Sequence, residues 1–467
     1  MSFTLAEMAE ATGGRLSGPA ELVLERLVTD SRDAGPGAMF VALKGESSDG
    51  HRFVDDALSR GAAAVLMAEA TSAGAPTVLV PDTREALRDF TRQRLKSQRV
   101  RVIAITGSVG KTSTKEMVAA VAARRYQVLK TEGNLNTYTG LPITVARLEH
   151  GHQLLVAEYA MSARGEIAYL TEMAPPDIAV VLNVGWSHVG LLGSLDDVAG
   201  AKRELVEALT DEGEAILNAD DARVAAMAAS CRGTVAYFSL AGATAALARA
   251  TSVELGGLSG SQFVLQLPDG QARVLLQVPG KHAIANALAA ATTGHVLGVA
   301  VDEVARALES CRPPQGRMAI RPGRRSSTVI DDSYNASPAS MEAALAVLLA
   351  EKEKPRIAVL GDMLELGQLA HEAHVRVGSH AASADLLVVM GEHAGALREG
   401  ALAVGMPPDR IHLARDLAEA VRAVEPYLDG AVVLVKASRG MALEGVVAQL
   451  LAEGQEAPPD QGEGTLH

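Results

Sequence analysis

The sequence predicts an α/β protein of three domains, two of them built on parallel sheet. Length, composition and the rhythm of apolar runs all point there. At 467 residues the chain exceeds what one core accommodates, and roughly 150 residues per domain gives about three units. Apolar residues make up 48% and aromatics only 3%, a balance that suits helices packed on parallel sheet better than an all-β sandwich. From about residue 99 onward, strand-like apolar runs alternate with helix-like stretches, the βαβ pattern.

Residues 1–98 combine short runs, Leu22-Val23-Leu24 and Met39-Phe40-Val41-Ala42-Leu43, with turn signals at Gly35-Pro36-Gly37 and Asp49-Gly50. They form a small α/β unit. The polar stretch 92–99 leads into Val102-Ile103-Ala104-Ile105, a buried strand that opens a second domain, 99–312. Strand runs at 154–157, 178–184 and 215–217 alternate there with helical stretches at 111–124 and 283–297, implying parallel construction to about residue 311. Arg312-Pro313-Pro314-Gln315-Gly316 breaks any helix and supplies a hinge. A third domain, 313–453, carries strand candidates at 328–330, 357–360, 386–389 and 432–435, the pattern of a Rossmann-like sheet. The Pro-, Gly- and Glu-rich tail, 454–467, reads as disordered.

The formal charge of −13 argues against nucleic acid as a partner, since phosphate-backbone binders need clustered basic surface. Any anionic ligand must be held locally. Cys231 and Cys311 are the only cysteines, so neither a disulfide framework nor a cysteine-rich metal site is expected, and a reducing compartment fits. The N-terminus lacks a basic patch followed by an apolar run, and no apolar segment approaches the roughly 18 residues that span a bilayer. The expectation is a cytoplasmic protein without membrane insertion, monomeric because no large exposed apolar stripe is apparent.

Thr106-Gly107-Ser108-Val109-Gly110-Lys111-Thr112 joins the buried strand to the helix starting near Lys111. Glycines let backbone N–H groups converge on a phosphate, the helix N-terminus adds partial positive charge, and Lys111 adds a full one. Thr112 is placed to hold Mg²⁺ through its hydroxyl. The strict Walker pattern has glycine where this chain has Ile105, so the loop is a shortened variant. The bland alternative is a strand-to-helix turn that merely uses glycine. A cation at a nucleotide needs oxygen ligands at the carboxyl ends of strands. Glu158 ends the run Leu154-Leu155-Val156-Ala157, and His188 follows the 178–184 run within Gly185-Trp186-Ser187-His188. Taken alone, Glu158 equally fits a solvated strand end, and His188 an ordinary loop histidine.

The shortened loop, Gly133-Asn134-Leu135-Asn136 downstream of it, Ala201-Lys202-Arg203-Glu204, Gly280-Lys281-His282-Ala283-Ile284-Ala285-Asn286-Ala287 and Gln315-Gly316-Arg317 together resemble the Mur ligases. Asp331-Asp332-Ser333-Tyr334-Asn335-Ala336-Ser337-Pro338, Gly361-Asp362-Met363-Leu364-Glu365-Leu366-Gly367 and Lys436-Ala437-Ser438-Arg439 narrow the likeness to the D-alanyl-D-alanine-adding branch. The match runs along nearly the whole chain, short of the tail. By that likeness the central domain is a P-loop ATPase domain. Thr106, Gly107, Ser108, Val109, Gly110, Lys111 and Thr112 bind ATP with Asn134, Asn286, Arg317, Asp332, Tyr334 and Asn335. Glu158 and His188 fall on magnesium and active-site contacts, and Lys202 on a lysine carried as a carbamate, an anion able to approach Mg²⁺. From the residues alone, Lys202 reads as a surface helix lysine, Arg317 equally fits a hinge arginine, and Tyr334 core packing.

In the first domain, Thr29-Asp30-Ser31-Arg32, Phe40-Val41-Ala42-Leu43-Lys44-Gly45 and Asp49-Gly50-His51-Arg52-Phe53 resemble the family's UDP-binding end, with Ser31, Arg32 and Lys44 as donors. Lys436, Ser438 and Arg439 are implied to face substrate across the cleft. Ala283, Trp186 and Thr137 depart from the family pattern. The resemblance implies a ligase that uses ATP and Mg²⁺ to join D-alanyl-D-alanine to a UDP-N-acetylmuramoyl tripeptide through an acyl phosphate, the catalytic set being Lys111, Glu158, His188 and Lys202. The alternatives are another ligase of the superfamily, such as a folylpolyglutamate synthetase, or a nucleotide-regulated binding module.

Overall fold

The computed structural model describes residues 3–45, 48–70 and 74–455, arranged as three sheets with helices packed on them and one two-stranded pair. Of the tail, Gly454 sits in a turn, and residues 456–467 lie outside the described residues. Among the described residues, no helix is long and apolar enough to cross a membrane.

The N-terminal sheet runs in the order Arg15–Ser17, Thr77–Leu79, Ala64–Met67, Ala38–Val41, Arg26–Val28, with only the first pair antiparallel. Ala38–Val41 and Ala64–Met67 are buried at every residue, as strands covered on both faces must be, and this explains their unbroken apolar runs. Helix Thr83–Gln98 begins where the Asp82 carboxylate accepts the Arg84 and Glu85 amides and ends at Arg99 in the left-handed conformation. From its buried face the Arg94 guanidinium donates to the carbonyls of Val145 at 3.2 Å, Ala146 at 3.4 Å and Leu148 at 3.0 Å. The first two carbonyls end helix Gly140–Ala146 and the third follows its cap, so a cation meets a helix C-terminus and ties the first unit to the second.

The central sheet has nine strands in the order Gly270–Leu276, Ser261–Leu267, Ala248–Leu255, Thr234–Ser239, Glu214–Asn218, Ile178–Val181, Arg101–Thr106, Leu154–Glu158, Val128–Lys130. The chain leaves Arg101–Thr106 for one edge and later returns on its other side at Ile178–Val181. That reversal makes a topological switch point, where open α/β sheets bind ligands. Two sequence expectations are corrected here. The run at 178–184 stops being strand after Val181, because Asn183 turns to the phosphate loop. Parallel construction does not persist to residue 311 either: Ala248–Leu255, Ser261–Leu267 and Gly270–Leu276 pair antiparallel. Ser261–Leu267 alternates buried and half-buried residues, the period of a sheet with only one face fully covered.

The C-terminal sheet runs Ala319–Pro322, Thr328–Asp331, Val432–Lys436, Arg356–Leu360, Leu386–Val389, Ile411–Leu413, parallel except for the first pair. The last strand in sequence, Val432–Lys436, is inserted at the centre and buried throughout, again creating a switch point, at its end near Lys436. The α/β, three-unit architecture expected from the sequence is the one observed. Arg94→Ala removes three hydrogen bonds from buried carbonyls and should destabilise the protein by about 2–3 kcal/mol, read as a lower urea midpoint by circular dichroism.

Candidate active site

Strand Arg101–Thr106, buried except at Arg101, delivers the chain to the phosphate loop, and helix Lys111–Ala122 leaves it. Gly110 has φ +86, and a Cβ there would lie 2.6 Å from Asn286 Oδ1. Glycine is required on both counts. The loop is held from outside by Asn183, whose backbone carbonyl accepts the Ser108 amide at 3.1 Å and whose Oδ1 accepts the Val109 amide at 2.9 Å. Asn183 Nδ2 donates back to the Val109 carbonyl at 3.0 Å, and the Ser108 hydroxyl accepts the Gly185 amide at 2.8 Å. Ser108 and Val109 thus spend their amides shaping the loop, which leaves the helix-start amides from Lys111 on, without intrahelical acceptors, for an anion. Lys111 Nζ rests on the Gly107 carbonyl at 2.9 Å.

Glu158 ends the neighbouring parallel strand, beside Ile105. Only 3% exposed, its carboxylate accepts from the Thr112 hydroxyl at 2.8 Å and from Asn136 Nδ2 at 2.9 Å. Burial pushes its pKa up, but the charges of Lys111 and Arg317 and those two donors outweigh it, holding Glu158 below the usual carboxylate range. The solvated strand-end reading of Glu158 is overturned. Burial lowers the Lys111 pKa, with Arg317 adding to the effect, while Glu158 and Glu365 oppose it. Lys202, on helix Leu195–Glu207, is 1% exposed, so it is not a surface lysine. Burial first, and then the nearby Lys111 charge, lower its pKa well below the ordinary lysine value.

A cleft of about 350 Å³ opens above this edge, and the C-terminal sheet supplies its other wall. The Asp332 carboxylate accepts the Met318 amide at 3.0 Å and pairs with Lys436 Nζ at 2.7 Å. Lys436 Nζ also donates to the Asn335 carbonyl at 2.7 Å. Tyr334 lines the cleft with the Arg317 guanidinium 4.1 Å from its ring centroid and that of Arg439 at 5.1 Å; it is not core packing. Gly316, φ +70, accepts the Tyr334 amide at 3.0 Å and would place a Cβ 3.1 Å from Tyr334 Cβ. This glycine lets the interdomain segment dock and aims Arg317 into the cleft.

The cleft collects Ser108, Val109, Gly110, Lys111, Thr112, Asn134, Glu158, His188, Asn286, Arg317, Asp332, Tyr334, Asn335 and Lys436 from the sequence-derived set. Other members of that set sit behind it or elsewhere. Thr106 is fully buried with its hydroxyl on the Tyr159 carbonyl, and Gly107 packs against Leu182. Ser438, expected to face substrate, is 3% exposed, and its hydroxyl accepts the Leu364 amide at 2.9 Å. Ser31, Arg32 and Lys44 belong to the N-terminal sheet's carboxyl edge, away from the cleft lining, where Arg32 pairs with Asp30 at 2.6 Å. Two positions that shape the site escaped the sequence reading: Asn183, signalled only by a polar residue directly after an apolar strand, and Asn136, which donates to Glu158. Asn183→Ala frees the Val109 amide and should weaken ATP binding about ten-fold, one hydrogen bond's worth, as titration calorimetry would measure.

Family models match in all three units: "Mur ligase family, catalytic domain" at residues 24–95, "Mur ligase middle domain" at 105–294 and "Mur ligase, glutamate ligase domain" at 316–439. A UDP-N-acetylmuramoyl-tripeptide–D-alanyl-D-alanine ligase of Escherichia coli K12 is 36% identical, the match covering 97% of this chain and 99% of that protein. Among solved structures, MurF from Acinetobacter baumannii superposes with TM-score 0.87 at 31% identity, over 96% of this chain and 99% of that one. A MurF ligase from Thermotoga maritima, solved in complex with ADP, gives TM-score 0.79 at 29% identity over 91% and 96%. With its switch-point cleft, its Lys111 and Glu158 on one edge of that cleft and these full-length relatives, the chain belongs to the Mur ligase family.

Proposed function

We propose that the protein is an ATP-dependent amide ligase that adds D-alanyl-D-alanine to a UDP-N-acetylmuramoyl tripeptide, making a peptidoglycan precursor. The observation that carries this reading is the meeting of two sheet edges around one cleft, with Lys111, Thr112 and Glu158 on one side and Asp332, Tyr334 and Lys436 on the other. The substrates follow from the names of the full-length relatives. The N-terminal unit, 1–98, holds the UDP end through Ser31, Arg32 and Lys44; residues 99–312 bind ATP; residues 313–453 close the site.

A carboxylate is a poor electrophile, so the tripeptide's terminal carboxylate oxygen takes the γ-phosphoryl group of ATP, breaking the bond to ADP and forming an acyl phosphate. The dipeptide amine then attacks the acyl carbon, the amide forms, the amine's proton is lost and inorganic phosphate leaves. Lys111 and the helix-start amides offset the charge on the transferred group, chiefly by position. The donor set fits Mg²⁺: the Glu158 carboxylate and the Thr112 hydroxyl are oxygen donors at the end of a strand beside the loop, and Mg²⁺ at nucleotides takes one or two carboxylates, with phosphates and water completing its shell. Thr112, Glu158 and His188 would hold it, with Lys202 as its carbamate. The ion supplies charge neutralisation at the phosphates. Lys202 suits carbamate formation because a buried amine of lowered pKa is neutral and nucleophilic toward CO₂.

Purified protein should release ADP only when the tripeptide nucleotide and D-alanyl-D-alanine are both present, with a nucleotide product heavier by the dipeptide in mass spectrometry. ADP without that product would overturn the reading. Lys111→Ala should lower turnover by about a thousandfold or more. An acyl phosphate must be kept from water, so the C-terminal unit closes on the central one about residues 312–316. Solution scattering should show a smaller radius of gyration with ATP analogue plus tripeptide nucleotide, and an unchanged radius would eliminate closure.

A further inference from the structure

We propose that Glu365 is the positioning residue for His188: it reaches from the C-terminal unit to hold the imidazole Nδ1, so that docking of the two units orients the other ring nitrogen toward the phosphate cleft. The inference rests on the reading of that cleft as the triphosphate site.

His188 Nδ1 is enclosed and has no well-aligned hydrogen-bond acceptor. Its close neighbour is Glu365 Oε2 at 2.6 Å, a contact short in distance and bent in angle, of the sort that straightens when a substrate arrives. Both residues hold the left-handed backbone conformation, φ +62 at His188 and φ +63 at Glu365. For residues with side chains this conformation is disfavoured, and two such residues meeting face to face mark a geometry that the surroundings impose. Those surroundings are closely hydrogen-bonded. The Asp362 carboxylate accepts the Glu392 and His393 amides at 2.8 and 2.9 Å, His374 Nε2 accepts the Met363 amide at 2.9 Å, and Ser438 accepts that of Leu364. The Glu365 carbonyl itself accepts the Gly190 amide at 2.9 Å. A Cβ on Gly190 would come within 2.4 Å of the Gly367 amide nitrogen, so the two segments approach as closely as they do only because residue 190 is glycine.

A neutral imidazole carries one N–H. A carboxylate at Nδ1 places the proton there and leaves the lone pair on Nε2, the ring nitrogen free to meet a ligand in the cleft that His188 lines. Because the carboxylate comes from the other unit, the orientation exists only while the units are docked.

Nitrogen-15 NMR of the full-length protein, recorded at a pH where the ring shifts show a neutral imidazole, with and without a non-hydrolysable ATP analogue, reads the tautomer of His188. The signal is assigned by its loss in His188→Gln. Wild type should show Nδ1–H, and Glu365→Ala should revert to the Nε2–H form that free imidazole favours. In steady-state assays Glu365→Ala should lower kcat about ten- to a hundredfold while KM for the tripeptide nucleotide stays within about twofold. Glu365→Gln, whose carbonyl still accepts from Nδ1–H, should recover part of both effects, and its near-identical shape keeps the test alive if the alanine variant folds poorly in a thermal melt. An Nε2–H signal in wild type under both conditions, an unchanged tautomer in Glu365→Ala, or equal losses in the alanine and glutamine variants would overturn the proposal. If wild type makes no product, the ligase reading fails, while the tautomer comparison, which needs no substrate, still decides the role of Glu365.

Discussion

The structure depends on one electrostatic arrangement: a half-buried lysine and a buried glutamate brought to the same edge of a parallel sheet, at the floor of the cleft. Burial opposes ionisation of both, raising the carboxyl and lowering the amine. The buried carboxylate keeps its charge because cations and donors stand beside it. Register makes the pair possible, since Glu158 lies beside Ile105, one residue before the strand turns into the loop that carries Lys111. Thr112 and Asn136 each donate to one oxygen of the carboxylate, which helps the centre stay charged and leaves acceptor capacity on both oxygens.

Much of this was legible in the sequence because its parts are local. A buried apolar strand, a glycine turn and a Gly-Lys-Thr helix start lie within a dozen consecutive residues, and steric and dipole arguments on such a segment need no tertiary knowledge. Parallel strands in the C-terminal unit were equally plain, Leu386–Val389 to the residue, since strands buried on both faces have continuous apolar runs. What failed were judgements about long-range neighbours. Lys202 read as a surface residue because lysine usually is one. Yet it stands four residues after Val198 and three before Leu205, all three buried on one helix face, and helical spacing alone would have placed it inward. The antiparallel strands were missed for a similar reason: the alternation in Ser261–Leu267 was present, but the expectation of parallel rhythm absorbed it.

Contacts between units were the least legible. Arg94 on carbonyls some fifty residues away in sequence, Trp186 with the Arg376 guanidinium 4.8 Å from its ring centroid, and His188 against Glu365 each join side chains whose meeting no local pattern encodes. Trp186 shows the difficulty well. As a departure from the family pattern it looked like a perturbation of the site, whereas in the fold it is half of a cation–π contact between the central and C-terminal units. A substitution that appears anomalous along the sequence can be ordinary across an interface.

The same interface explains how nucleotide binding and closure would be coupled on the proposed reading. Arg317 enters the cleft from the interdomain segment, and its charge lowers the pKa of Lys111, which means the two cations repel. Glu158, whose pull on Lys111 is larger than the push of Arg317, offsets that repulsion together with Glu365. A triphosphate brings more negative charge than both carboxylates together, and it attracts Lys111 from one wall and Arg317 from the other. Its affinity is therefore greater for the docked arrangement than for the separated one, and a ligand shifts a conformational equilibrium only by such a difference. The phosphate that the loop was built to hold is thus also the group that makes the C-terminal unit's approach favourable.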